Sequence, residues 1–131
     1  MTAQAVTFAT LAPRSADGYS ATLDLQDAST LRLLLAITAN SAQPAPSIAN
    51  TLNADSPSFN LKIESSPDGA TFWREVECVQ RGQPRDPVRF TPGSYIRNER
   101  HVFVGFDRYV RAHWMIGRGA PVTFSLDGFS V

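Results

Sequence analysis

The sequence predicts an all-β protein, a single antiparallel β-sandwich of jelly-roll type with about eight strands. The first observation is a set of short runs in which apolar and polar residues alternate, which is the period of a strand with one buried face. The second is the turn sequence Pro67-Asp68-Gly69, which separates two such runs. The third is the near absence of helical periodicity. Together they favour strands joined by turns.

The central hairpin shows this pattern most clearly. Apolar and polar residues alternate over residues 59–64, before the turn, and a second alternating run follows it. Proline presets the first turn dihedral, aspartate bonds to the local backbone, and glycine accepts a positive φ. The parity of the second run predicts that Trp73 shares the polar face with Glu75 and Glu77. The residues predicted to face the core after the turn are Phe72, Val76 and Cys78.

Two strands are predicted before the hairpin. Residues 19–25 alternate between turn signals and predict one strand. The apolar run over residues 31–37 is short and flanked by threonines, which favours a buried strand over a helix. In this strand Leu31, Leu33, Leu35 and Ile37 are expected to face the core, and Leu34 and Ala36 a second covered surface.

Three further strands are predicted after the hairpin. They cover residues 101–106, 108–115 and 122–126, and Phe129 and Val131 are expected to extend the last strand past the Asp127-Gly128 pair. Turn chemistry explains all three Asp-Gly pairs in the chain, at Asp17, Asp68 and Asp127. The side chains expected to face the core are Val102, Val104 and Phe106 in the first strand and Val110, Ala112 and Trp114 in the second.

Length and composition indicate one domain over residues 1–131. The first 18 residues are open to two interpretations, an N-terminal arm or an edge strand. Long connections at residues 40–57 and 81–99 are candidates for binding segments. Twelve basic residues balance twelve acidic ones, which argues against nucleic acid as a partner. With no apolar span of membrane length and no secretory signal, the chain is expected to avoid membranes and to fold in the cytoplasm.

No residue pattern in the chain predicts catalysis or the binding of a metal or cofactor. His101 and His113 lie inside strand patterns with no carboxylate at metal-ligand spacing. Cys78 is the only cysteine, so a buried thiol is expected and an intrachain disulfide is excluded. The sequence also lacks a nucleophile elbow and a phosphate-binding glycine loop. These absences predict a protein that is not an enzyme and that has no cofactor.

Two segments together resemble a known pattern: residues 66–73, Ser-Pro-Asp-Gly-Ala-Thr-Phe-Trp, and residues 107–112, Asp-Arg-Tyr-Val-Arg-Ala. Discoidin-type, galactose-binding-like β-sandwiches carry a similar Ser-x-Asp-Gly-x-x-Trp hairpin and Arg-Tyr-Val-Arg strand. The resemblance spans residues 58–116 at most and implies a β-sandwich. The matching residues are Ser66, Asp68, Gly69, Trp73, Arg108, Tyr109, Val110 and Arg111.

The chain is also similar in length, hairpin, strand and ending to small β-sandwich proteins of tailed bacteriophages. This resemblance implies a virion protein that assembles in the host cytoplasm, such as a capsid decoration or accessory protein of the head. It would bind the major capsid protein or other virion proteins through its loops and N-terminal arm, and a homo-oligomer is compatible with it. The candidate partner-binding residues are Arg81, Arg85, Arg89, Arg97 and Trp73.

Two alternatives stay open. The first is a tail or neck accessory protein. The second is a carbohydrate-binding module of the galactose-binding-like type, in which Trp73, Tyr95 and Tyr19 would stack on sugar rings.

Overall fold

The described part of the chain is built entirely from β-strands and the turns between them. The structure is a computed structural model that describes residues 3–40, 59–76, 78–80, 83–85, 88–90, 97–116 and 121–131. Within these residues there are twelve strands, nine of them three or more residues long. They are β1 (Gln4–Arg14), β2 (Gly18–Tyr19), β3 (Leu23–Asp24), β4 (Thr30–Asn40), β5 (Phe59–Ser66), β6 (Arg74–Glu75), β7 (Cys78–Gln80), β8 (Gln83–Arg85), β9 (Val88–Phe90), β10 (Arg97–Val104), β11 (Tyr109–Ile116) and β12 (Val122–Ser130).

The strands form two antiparallel sheets, which confirms the predicted β-sandwich. The first sheet has the order β1-β12-β4-β10-β7-β8. The second has the order β2-β11-β5-β6, with β3 also paired to β11 and β9 to β5. Buried apolar side chains from both sheets join in one core. Trp114 of the second sheet meets Phe124 of the first edge to face, with ring centroids 5.6 Å apart, so the two inner faces are in direct contact.

Strand β4 supplies one side of this core, as predicted. Its four inward residues are almost fully buried, and it lies between β12 and β10, where neighbouring strands satisfy both edges of its backbone. The residues concerned are Leu31, Leu33, Leu35 and Ile37. The prediction of a second covered surface at Leu34 is wrong, because that side chain is 36% exposed.

The prediction of which face of β10 is buried is also wrong. His101 and Phe103 face the core, whereas Val104 is exposed. The pairing with β4 explains the inversion, because Phe103 stands opposite Leu31 and His101 opposite Leu33. The residues that point to either face of this strand include apolar ones, so alternation alone could not identify the buried face.

The strand predicted over residues 19–25 is divided into β2 and β3, which both pair with β11. Between them the hydroxyl of Ser20 accepts the backbone N–H of Ala112 at 2.8 Å, and the Ser20 N–H donates to the Ala112 carbonyl. A side-chain acceptor therefore replaces a carbonyl of the regular ladder at this point. Val110, Ala112 and Trp114 on β11 are buried, as predicted.

Strand β12 continues past Asp127-Gly128 to Ser130, so the predicted extension through Phe129 is confirmed and the assignment of this pair to a turn is wrong. A Cβ atom at Gly128 would lie 1.8 Å from the carbonyl oxygen of Arg32 on β4. Glycine here allows the backbones of β12 and β4 to approach closely, a role that glycine often has in strands.

Of the two interpretations of the N-terminus, the structure shows an edge strand: β1 pairs with β12 across two irregularities in register. At the end of β1 the Arg14 guanidinium donates to the carbonyls of Thr10, Ala12 and Phe124. It also lies over the rings of Phe124 and Trp114, 4.6 and 5.1 Å from their centroids. Partial burial lowers the pKa of Arg14. This residue closes one margin of the core.

Candidate functional site

The hairpin tip, defined as residues 67–72, is held by the carboxylate of Asp68. This carboxylate accepts the backbone N–H groups of Ala70 and Thr71 at 2.9 and 2.8 Å, and it also accepts the Thr71 hydroxyl. The Ser66 hydroxyl accepts the Gly69 N–H at 3.0 Å and lies 2.8 Å from Asp68. The turn residues therefore bond to one another and need no other element to define their conformation.

These hydrogen bonds stabilise the ionised form of Asp68. Donation from the hydroxyl and then the N–H of Thr71, followed by the Ala70 N–H and the Ser66 hydroxyl, holds the pKa of Asp68 well below its usual range. A carboxyl group whose pKa is lowered by folding stabilises the protein above its unfolded-state pKa of about 4. That contribution is lost as the pH falls from about 4 through the folded-state pKa.

We expect Asp68→Asn to reduce stability at neutral pH and to matter progressively less as the pH falls from about 4 through the folded-state pKa, because the unfolded wild-type chain is protonated first and the contribution of the folded carboxylate declines. The measurement is urea unfolding of both proteins at a series of pH values. Asp127→Asn removes the same charge from a side chain that carries none of these hydrogen bonds, and it is the matched control. A constant difference between wild type and Asp68→Asn at every pH would contradict the assignment.

The two segments of the resemblance meet at the hairpin tip. Gly69 has a φ of +76°, and a Cβ atom there would lie 3.0 Å from the Tyr109 ring. Tyr109 stands opposite Ser66 in the β5–β11 pairing. The preceding residue, Arg108, donates two hydrogen bonds of 2.8 Å to Asp24, and these, together with the Gln26 N–H, lower the pKa of Asp24 to about 2. Gly69 and Tyr109 thus fix the hairpin tip, whereas Arg108 ties β11 to β3.

The base of the hairpin is tied to the connection between β10 and β11. The buried Ser65 hydroxyl accepts the Asp107 N–H at 3.0 Å. Arg74 donates to the Asp107 carboxylate at 3.0 Å and to the Gly105 carbonyl at 2.6 Å. Contacts from both strands of the hairpin, β5 and β6, therefore limit its movement against this connection.

An arginine ladder, formed by Trp73, Arg111, Tyr19 and His113, covers the outer face of the second sheet. The guanidinium carbon of Arg111 lies 4.0 Å from the Trp73 ring centroid and 4.3 Å from that of Tyr19. The Tyr19 ring stacks on His113 at 4.1 Å and 14°. Cation–π and stacking contacts therefore use these ring faces within the molecule.

Glu64 is the anion beneath the ladder. Its carboxylate accepts a hydrogen bond of 2.9 Å from Arg111 and lies 3.5 Å from the Lys62 ammonium nitrogen. The Nδ1 atom of His113 is 3.8 Å away. The Glu64 side chain is only 11% exposed. One nearly buried carboxylate thus forms ion pairs with Lys62 on β5 and Arg111 on β11.

The structure places Trp73 in this ladder, half-buried against Arg111. Arg85 lies in β8 of the first sheet and Arg89 in β9 of the second, while Arg97 begins β10. The side chains of these three, and all of Arg81, fall outside the described residues, as does Tyr95.

Phe72 is the exposed residue that the sequence pattern missed. It was predicted to be buried with Val76 and Cys78, and both of those residues are buried. Phe72 is instead 80% exposed and has a φ of 57°. The available signal was the spacing of the hairpin residues: counted from Ser66, the Trp position of the Ser-x-Asp-Gly-x-x-Trp pattern falls on Phe72, and Trp73 lies one residue beyond it.

The one thiol of the chain lies near a histidine in the core. The sulfur of Cys78 is 3.5 Å from Nδ1 of His101, and both side chains are buried. A reactive cysteine needs access to its substrate, so this burial favours a packing role. Among the described residues no group of three or more His, Cys, Asp or Glu side chains could hold a metal ion, and no helix is long and apolar enough to cross a membrane.

Comparison with known proteins finds no family model and no curated protein that matches this chain. The features that can carry a functional proposal are therefore those of its own surface, with the hairpin tip foremost.

Proposed function

We propose that this chain is a non-enzymatic structural and interaction protein that binds a partner protein through the hairpin tip, with Phe72 as the anchor. The observation that carries the proposal is the 80% exposure of this ring on a turn fixed by hydrogen bonds. Leaving a phenylalanine side chain in water forgoes about 2 kcal/mol of burial. A non-glycine residue in the left-handed region adds about 1 kcal/mol. Burial in a partner would recover the first of these costs.

The rigidity of the tip supports a role in recognition. Binding is weakened by the entropy lost when loops and side chains become ordered. Here Asp68 and Ser66 already order the turn, and Arg74 ties its base to the connection between β10 and β11. Aromatic side chains of this kind form the centres of many protein interfaces, where they fill an apolar pocket. The partner surface should therefore present an apolar cleft.

The resemblance to tailed-phage proteins supports a virion as the location and the major capsid protein as the first partner to test. The two antiparallel sheets agree with the architecture that this resemblance implies. A head decoration protein binds a lattice in many copies, so modest contacts at each site add up through avidity. A tail or neck position would use the same hairpin against a different virion protein.

The test is the affinity for purified major capsid protein and for assembled heads. Phe72→Asn removes the ring but suits a left-handed backbone, so the fold should be retained while affinity falls about thirtyfold or more. Phe72→Tyr keeps the ring and should bind nearly as well as wild type. Unchanged binding by Phe72→Asn would overturn the anchor. Absence of binding to every head and tail protein would overturn the virion role.

A second candidate, the carbohydrate-binding module, is favoured by one observation, the 53% exposure of Tyr19 on the same face as Trp73. Against it, Arg111 and His113 already occupy ring faces of this ladder. A glycan array separates the two functions. Sugar binding that is lost in Trp73→Ala and kept in Phe72→Asn would favour the module.

A further inference from the structure

A groove of about 570 Å³ crosses the outer face of the first sheet, where β12, β4 and β10 run side by side. Its lining is mostly apolar, and Phe129 and Leu34 are 44% and 36% exposed. Val102 is half-buried beside them, and Val104 extends the apolar surface along β10. The outer face of an antiparallel sheet is commonly polar when water covers it. Several apolar side chains together on such a face indicate an interaction site.

The register of the sheet places two arginines among these apolar residues. Arg32 stands between Phe129 on β12 and Val102 on β10. Arg100 stands beside Leu34, on the strand next to Arg32. The two arginines are diagonal neighbours, a relation that puts backbones about 7–8 Å apart. Their guanidinium groups are thus within reach of a single carboxylate placed over the groove.

Neither Arg32 nor Arg100 forms a side-chain hydrogen bond or ion pair with the part of the chain that the structure describes. Both side chains are exposed. Among the described residues that line the groove, Asp127 is the one acidic residue, and it lies across Leu34 from Arg100. If two copies of this face met, the interface would therefore contain four arginines and only two aspartates. This imbalance disfavours self-association and favours an acidic partner.

We propose that this groove binds a peptide segment of a partner protein in which a carboxylate side chain is flanked by apolar ones. The carboxylate would accept hydrogen bonds from Arg32 and Arg100, and the apolar neighbours would pack on Leu34 and Phe129. The groove belongs to the first sheet, whereas Phe72 precedes β6 of the second sheet. It is therefore a second contact surface, and its test does not depend on the hairpin.

The test is selection from a displayed library of random peptides against the whole chain, followed by affinity measurements on the selected peptides. We expect the peptides to be enriched in Asp or Glu next to apolar residues. Affinity should fall about tenfold or more in Arg32→Ala/Arg100→Ala and should weaken as salt is raised.

Three outcomes would overturn the proposal. Peptides selected without acidic residues would exclude the carboxylate, and binding that survives the loss of Arg32 and Arg100 would exclude the groove. The third is a concentration-dependent dimer in sedimentation that Phe129→Ala abolishes, which would assign this face to a second copy of the chain. Phe72→Asn should bind the selected peptides as wild type does, so failure here and failure of the hairpin proposal are distinguishable.

Discussion

Gly128→Ala is expected to destabilise the fold by about 3 kcal/mol or more, which for a domain of this size risks complete unfolding. The new Cβ atom would lie 1.8 Å from the carbonyl oxygen of Arg32 and 3.0 Å from the Cα atom of Leu33. Both are backbone atoms of β4, so no side-chain rotation can relieve the clash. Strands β12 and β4 would have to separate in the middle of the first sheet. Urea unfolding of the purified variant measures the loss.

Gly105→Ala is the matched control for this substitution. Gly105 has a φ of +71°, and nothing lies within 4 Å of a Cβ atom built there. Gly105→Ala should lower the free energy of unfolding by only about 1 kcal/mol, the cost of placing a residue with a side chain in the left-handed region. Equal losses of stability in Gly128→Ala and Gly105→Ala would show that β12 and β4 do not approach each other closely at Gly128.

Glu64→Gln is expected to cost about 2 kcal/mol, because it leaves positive charge at a nearly buried position. Arg111 would lose its carboxylate partner at 2.9 Å, and Lys62 would lose its partner at 3.5 Å. The stacking of Trp73 on Arg111 should loosen as well, since Glu64 orients the guanidinium. Urea unfolding measures the loss of stability, and the indole N–H resonance of Trp73 reports the rearrangement.

The chain supplies a close control in Glu75, which stands opposite Glu64 on β6 and is exposed. Glu75→Gln removes the same charge by the same substitution. Its effect should be near zero or slightly stabilising, since like charges on facing strands repel. If both variants lost equal stability, the effect would reflect net charge and not the buried ion pairs.

The hairpin residues that carry the resemblance act as a scaffold. Asp68, Ser66 and Gly69 shape the turn, Arg108 ties β11 to β3, and Trp73 covers Arg111. Their contacts lie within the chain, so the same pattern can support different partners. Specificity would then come from side chains that make none of these contacts, and Phe72 is the most exposed large hydrophobic side chain among the described residues.

Where apolar residues occupied only every second position of a strand, the sequence predicted the buried face correctly. This holds for the inward residues of β11, such as Val110 and Ala112, which alternate with polar or larger amphipathic residues. It failed in β10, where both parities are apolar and the pairing with β4 decides. It also failed at Phe72, because the left-handed turn breaks the alternation that was extended through it.

The sequence by itself determined the all-β class, the inner face of β4 and the turn at Asp68, because period, burial and turn chemistry are local properties of the chain. Only the tertiary structure decided which face of β10 is buried, that Gly128 lies against Arg32, and which side chains share the outer faces. These depend on register between strands far apart in the chain. A shift of one residue in that register exchanges the two faces of a strand, and local sequence does not encode it.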